Sequence, residues 1–381
     1  MTGRYDVIIV GAGPSGLICA SELEESGKKT AVFEKSKRVG EPIECAGLFS
    51  IAGLKRLGVG DGEYTLNKVK GAHFISASGA MAEIAGRENK AYVVDRGKFD
   101  RFLAARYNGE LYLGRRIAHV RRRDGRYEAT GNNKQVSAER IILATGCEQN
   151  LHPSVGLRGP SRFISTSQYE IEGVETDPQF VEIYLGSVAP GFFAWLIPLD
   201  EKRARIGLGV LEAEKKTHYY MEAFLKRLRD SGRFRQKNRI VHKSGGLIPL
   251  FEPDLEITHD NAYLVGDAAG QVKATTGGGV MMGGLAAKAL ARAICENKSY
   301  EMLLLDINQE LKKHLLIRRV LNRFGDKQYE HMIEFLNKPD IRRIIEEKGD
   351  MDFVGPMLKG LISNPILLMR AMRIMSRGIL F

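Results

Sequence analysis

Three glycines near the start of the chain have the spacing of a phosphate-binding turn. They are Gly11, Gly13 and Gly16 in VGAGPSG, with Pro14 and Ser15 between them. In such a GxGxxG turn the first glycine permits a tight bend and the second lets the backbone approach a pyrophosphate. The third lets a helix pack closely on a strand. The helix that follows offers free N–H groups and its positive dipole end to the same anion. Glu34 stands 18 residues beyond Gly16, where a carboxylate takes the hydroxyls of a ribose. These residues together predict a dinucleotide site. The motif alone leaves NAD and FAD open.

A second glycine-rich stretch decides between them. About 250 residues after the first, the chain reads YLVGDAAGQVKATTGGGVMMGG. Asp267 follows a short apolar strand, where a carboxylate can bond the ribityl chain of a flavin. The turn from Thr275 to Val280 then opens a helix. A helix N-terminus at that place stabilises the negative charge that reduced flavin carries at its pyrimidine edge. Gly279 lets the backbone come close to the ring. An ordinary NAD dehydrogenase has no use for such a segment, so FAD is the expected cofactor.

The elements that must position these residues follow from the hydrophobic pattern. Val7 to Val10 read as a buried parallel strand, and the helix and second apolar run complete a βαβ unit. A small-residue loop leads to a short helix near Ile51–Leu57. Short strands follow between 64 and 94, then a helix after Asp95 that stops at Gly109. A three-strand meander turns at Asp124-Gly125 and Gly131–Asn133. From about 155 the strands come at hairpin spacing, interrupted by a charged helix near 214–230. From about Tyr300 the chain reads as helical, basic and rich in Met and Leu. The expected fold is α/β. It has a Rossmann-like FAD/NAD(P)-binding domain over 1–154 and 255–298, an antiparallel-sheet substrate domain over 155–254 and a helical C-terminal region over 299–381.

Composition limits what else the chain can be. Its 381 residues are 44% hydrophobic, enough for more than one core. No uncharged apolar run reaches about 18 residues, so no transmembrane helix is expected. MTGRYDV has no apolar signal pattern, and the four cysteines form no CxxC. That predicts a cytoplasmic protein without zinc or iron–sulfur ligation, and no metal site is expected. The net charge of +11 fits an anionic membrane surface, an acidic substrate or a solvated basic face. No nucleic-acid motif is present.

GAGPSG, DRGKFDRFLA, AERIILATG and YLVGDAAG together resemble the FAD enzymes of the para-hydroxybenzoate hydroxylase-type fold. EPIECAGLFS, PGFFAWLIP and GDAAGQVKATTGGGVMMGG resemble the geranylgeranyl reductase family more narrowly, especially its archaeal digeranylgeranylglycerophospholipid reductases. The resemblance spans essentially the whole chain. It implies FAD contacts at Ser15, Glu34, Cys45, Ala46, Gly47, Arg96 and Asp267, with Gly279 and Val280, and through the backbone of Val120. The family's Tyr-x-Trp-x-Phe-Pro pattern reads here Phe193-Ala-Trp195-Leu-Ile197-Pro198, which loses a hydroxyl and keeps an apolar wall.

The reaction implied is saturation of isolated double bonds in the geranylgeranyl chains of membrane ether-lipid precursors. Such an alkene has no carbonyl to polarise it. Hydride at one carbon must be matched by a proton at the other, in a dry site. Phe193, Trp195 and Ile197 alternate on one face of a strand, either as the wall for that chain or as ordinary core. Cys45 sits in a loop, either as proton donor or redox-sensitive gate, or as a small residue packed beside the cofactor. No second GxGxxG exists for a nicotinamide nucleotide, so the electron donor, NAD(P)H or a small redox protein, is open. Rival readings are a flavin monooxygenase on an aromatic or prenyl substrate and a membrane-associated electron carrier to quinone. At the C-terminal end, Arg370, Arg373 and Arg377 share one helix face and Leu368, Met372, Met375 and Ile379 another. That helix fits a membrane interface or its own protein equally well.

Overall fold

The structure is a computed structural model that describes residues 3–131 and 134–362. They form two compact units, each assembled from separate stretches of chain.

The first unit takes in Met1–Ile43, Arg96–Phe163 and Ile248–Lys312. It is built on the strand Gly3–Val10. Val7, Ile8 and Ile9 are fully buried, as a parallel strand covered on both faces must be. This strand pairs in parallel with Thr30–Phe33 on one side and Lys134–Leu143 on the other. Glu110–Tyr112 extends the sheet past Thr30–Phe33, and Ala262–Leu264 then Thr258–His259 extend it past Lys134–Leu143. The predicted meander is present as His119–Arg123, Arg126–Gly131 and Lys134–Leu143. The helix Pro14–Glu25 connects the first two strands, and the small-residue helix Val280–Glu296 packs on it.

The second unit takes in Glu44–Asp95, Ile164–Leu247 and Lys313–Phe381. Its main sheet has seven strands. In spatial order they are Phe234–Pro249, Phe163–Val174, Arg203–Val210, Ala194–Pro198, Phe180–Tyr184, Gly71–Ile75 and Met81–Ala85. Phe163–Val174, Arg203–Val210, Ala194–Pro198 and Phe180–Tyr184 pair antiparallel in that order. Phe180–Tyr184 and Gly71–Ile75 run parallel. The helix Thr217–Asp230 lays Met221, Phe224, Leu225 and Leu228 against Ile171, Ile206 and Leu208. Tyr329 and Ile333, from the helix Asp326–Leu336, pack with Ala82 and Leu185. A small sheet of Leu48–Ser50, Ala91–Val94 and Thr65–Val69 completes the unit.

These units divide the chain differently from the expected ranges. Residues 44–95 group with the second sheet and 299–312 with the first unit. The cause in the first case is the parallel pairing of Gly71–Ile75 with Phe180–Tyr184, about 100 residues away. The amphipathic stretch expected over Ser363–Phe381 lies outside the described residues. Among those described, no helix is long and apolar enough to cross a membrane.

Candidate functional site

The GxGxxG turn divides its glycines between two tasks. Gly11 has φ +108°, and a Cβ there would lie 2.2 Å from the Ala144 carbonyl oxygen. A Cβ on Gly16 would lie 2.1 Å from the Gly11 oxygen. Both positions are therefore dictated by the fold itself. Gly13 is different. Its φ is −75°, which any residue adopts, and a Cβ there would meet nothing within 4 Å. It borders a cavity of about 520 Å³. A side chain at Gly13 would occupy that cavity, so its bareness serves whatever binds there.

The cavity lies wholly within the first unit and is lined from every segment of it. Gly11, Gly13, Pro14, Ser15 and Gly16 form one side, and Asp267, Gly279 and Val280 another. Ser15 ties the two glycine-rich stretches together. A Cβ on Gly266 or on Gly283 would come within 2.6 Å of its Oγ. Only glycine at both positions lets the helix Val280–Glu296 close over Ser15. Two helices begin at the cavity, at Pro14 and at Val280, each with a glycine N-cap and no side-chain cap. Their first-turn N–H groups lack intrahelical partners and carry the positive ends of two helix dipoles.

The charged groups fit the same ligand. Glu34 borders the cavity, and its carboxylate accepts from the amides of Ala12 at 2.9 Å and Ser36 at 2.7 Å. It braces the turn while keeping lone pairs for a hydroxyl donor. Arg96 opens the helix Arg96–Ala105 and is held by a two-point ion pair to Asp100, at 3.0 and 2.9 Å. Burial pushes the Asp267 carboxyl above the usual range, an effect that the Arg96 guanidinium partly offsets. A bare glycine, two helix N-termini, a ribose-range acid and a carboxylate beside an arginine suit a flavin dinucleotide.

Val120 is not part of this lining. Its side chain is buried in the core of the first unit, and its strand pairs with Arg126–Gly131. Arg115, Arg116, Ile117 and Ala118, just before it, border the cavity instead. Thr145 and Gly146, which end the AERIILATG strand, also line it. Thr145 is backed by the fully buried His152, whose Nε2 lies 3.1 Å from the Thr145 Oγ1. Burial lowers the His152 pKa to about 4. A lone histidine in LHPSVG carries no sequence signal for this position.

Cys45, Ala46 and Gly47 belong to the second unit, with Phe193, Trp195 and Ile197. Trp195 and Ile197 are buried within the strand Ala194–Pro198, as are Ala194 and Leu196 on its other face. Phe193 precedes that strand and is half-buried among Phe74, Ile183, Tyr329 and Ile333. It approaches Trp195 edge-on, ring centres 5.9 Å apart. The Trp195 Nε1 donates to Gln168 Oε1 at 3.0 Å, and Gln168 Nε2 donates to the Cys45 carbonyl at 3.4 Å. Sequence reasoning missed Gln168 and the buried Arg205. The alternating glycines of RARIGLGV were the available clue: a Cβ on Gly207 would lie 2.6 Å from the Trp195 ring, and one on Gly209 would lie 2.6 Å from Phe192.

Two family models match the chain, and one of them spans residues of both units. Residues 163–248 match the model of the geranylgeranyl reductase catalytic domain, and residues 5–177 match that of the pyridine nucleotide-disulphide oxidoreductases. A digeranylgeranylglycerophospholipid reductase of Methanocaldococcus jannaschii is 32% identical over 380 residues, covering 91% of this chain and 96% of its own. Its namesake from Methanococcus vannielii is 28% identical, covering 90% of each chain. Among solved structures, a geranylgeranyl bacteriochlorophyll reductase-like protein of Thermoplasma acidophilum superposes with a TM-score of 0.80. It is 23% identical and covers 98% of this chain and 100% of its own. A p-nitrophenol 4-monooxygenase of Pseudomonas putida shares the fold at a TM-score of 0.66 and 16% identity, over 98% and 99% of the two chains. The chain belongs to the geranylgeranyl reductase family.

Proposed function

We propose that this protein is an FAD-dependent reductase that saturates double bonds in the geranylgeranyl chains of membrane ether-lipid precursors. The observation that carries the reading is where the catalytic-domain match falls. Residues 163–248 include the strand of Trp195 together with Gln168 and Arg205, the two side chains that hold the Cys45–Gly47 loop. When bound, reduced FAD supplies hydride to one carbon of the alkene. The cavity of the first unit holds the dinucleotide by its two helix N-termini, with Gly13 leaving room for the pyrophosphate and Glu34 accepting from the ribose. Asp267 and Arg96 orient the ribityl end. Trp195 and Ile197 supply apolar surface that excludes water from a cation-like alkene carbon. The Cys45 thiol is the proton donor to the second carbon.

The enzyme works at a membrane surface, since its substrate is a lipid. Its charge of +11 favours anionic head groups, and no described helix spans a bilayer. The domain roles follow the two units, with cofactor in the first and substrate residues in the second.

The test is anaerobic. Photoreduced holoprotein is mixed with a geranylgeranyl glycerophospholipid in detergent, and the lipid is weighed by mass spectrometry. A gain of two hydrogens per turnover, with reoxidation of the flavin, is expected. Flavin that stays reduced in the presence of the lipid, or that is reoxidised only by oxygen or quinone, overturns the reading. A Cys45→Ser variant that reduces the lipid at the wild-type rate removes the thiol from the mechanism and leaves the rest standing.

A further inference from the structure

The loop Cys45–Gly47 belongs to no helix or strand, yet each of its three carbonyls is held. Cys45 O accepts from Gln168 Nε2 at 3.4 Å, Ala46 O from Arg205 Nη1 at 3.0 Å and Gly47 O from the Val94 amide at 2.8 Å. The Gly47 amide in turn donates to the Cys45 Sγ at 3.3 Å. Arg205 is only 5% exposed, and the same Nη1 also donates to Val94 O at 2.9 Å. Its Nε faces Glu170 at 3.4 Å. Gly47 has φ +73°, and a Cβ there would lie 2.5 Å from both Arg205 Nη1 and Val94 O. The loop is thus moulded onto the guanidinium.

Gln168 links this loop to the Trp195 strand, and chemistry fixes its orientation. An indole N–H can only donate, so it takes the amide oxygen; a carbonyl can only accept, so it takes the amide NH₂. Gln168 and Trp195 are each 6% exposed, so neither bond is easily replaced by water.

We propose that Gln168 and Arg205 are positioning residues for the Cys45 thiol, and that Gln168 couples the conformation of the Cys45–Gly47 loop to the surroundings of Trp195. This rests on the reading that the loop serves the reduction. It gives a reductase of this kind a way to register, at the apolar wall, whether the thiol is in place. Trp195 is the chain's single tryptophan, so tryptophan emission comes from this position alone.

The experiment uses full-length holoprotein. The rate of Cys45 alkylation by iodoacetamide is followed by peptide mass mapping, and Trp195 emission is recorded before and after alkylation. In the wild type, alkylation shifts the emission. Gln168→Met is expected to speed Cys45 alkylation about 3- to 10-fold, the loss of roughly one hydrogen bond, and to abolish the shift. Gln168→Glu keeps the acceptor for the indole and loses the donor to the loop. It is expected to alkylate faster while folded and to unfold at a lower temperature, because a carboxylate oxygen then faces the Cys45 carbonyl, and it decides the matter if Gln168→Met fails to fold. Arg205→Lys is expected to fall between wild type and Arg205→Met. Alkylation rates equal to wild type in Gln168→Glu, together with an unchanged emission shift, overturn the proposal. If labelling and fluorescence respond as expected while wild-type protein reduces no geranylgeranyl lipid, the clamp stands and the proposed function falls.

Discussion

At the scale of single residues, the glycines of the first turn separate folding from binding. Gly16→Ala places a methyl 2.1 Å from the Gly11 oxygen, so the helix must shift off the strand. It is expected to destabilise the flavin-free protein by about 1–3 kcal/mol, as overpacking does, read as a lower denaturant midpoint. Gly13→Ala meets no protein atom and should leave the flavin-free midpoint unchanged. It should weaken flavin retention at least tenfold, measured by fluorescence titration. Equal effects of the two variants on the flavin-free protein refute this division. The motif was legible in the sequence, but the division was not, because spacing does not say which glycines face protein and which face open space. His152 shows the opposite case, a residue with no motif and a definite role behind Thr145. Its pKa falls from the ordinary histidine range to about 4 on folding, because burial disfavours the cation. The unfolded chain therefore binds the proton first. Stability is retained above about pH 6.5 and is lost as the pH falls toward 4, by no more than about 3 kcal/mol. Urea midpoints across that range are expected to fall in the wild type and to flatten in His152→Phe. A parallel fall in both proteins would assign the slope to other groups.

At the scale of elements, the strand Ala194–Pro198 shows where periodicity stops being informative. The alternation of Phe193, Trp195 and Ile197 predicts one apolar face. The strand lies inside the seven-stranded sheet and is buried on both faces, so every residue is apolar and no face is marked. The face is set instead by the neighbouring strand Arg203–Val210. Trp195 lies opposite Gly207 in the register, and the indole occupies the space that a Cβ would take. Gly207→Ala is expected to cost about 1–3 kcal/mol through overpacking, measured by thermal unfolding. The atoms nearest the new methyl are Cε2 and Cζ2 of the indole, and phenylalanine lacks the second of its two rings. The double variant Gly207→Ala with Trp195→Phe should therefore be less destabilised than the sum of the two singles, by about 0.5 kcal/mol or more. Strict additivity would show that the methyl is relieved elsewhere, against the Ser167 carbonyl that lies 2.8 Å away.

At the scale of the whole molecule, the first unit is discontinuous, and its cavity draws on all three of its stretches. The βαβ start and the strand–Gly-Asp–turn–helix segment could each be read locally, because each carries its turn chemistry within about 30 residues. The second sheet could not be assembled that way. A parallel pairing such as Gly71–Ile75 with Phe180–Tyr184 needs a crossover and leaves no turn signature, so residues 44–95 gave no sign of their unit. The same long-range construction makes a prediction about cofactor binding. A ligand that binds only the folded state stabilises it by about 2.7 kcal/mol at 100 times its Kd. Local opening of the elements it touches should be suppressed together. Hydrogen exchange of flavin-free protein, with and without FAD, is expected to show protection at three places at once. These are the Gly11–Gly16 turn, the Arg115–Ala118 and Thr145–Gly146 stretches, and the Asp267–Val280 segment. AMP should leave the Asp267–Val280 segment unprotected, because it carries the adenosine and a phosphate but no ribityl chain or isoalloxazine ring. If FAD protects only Gly11–Gly16, the second glycine-rich segment is structural. The case for a flavin rather than a nicotinamide cofactor would then lose its structural half, since Ser15 would pack against Gly266 and Gly283 for the sake of the helix contact alone.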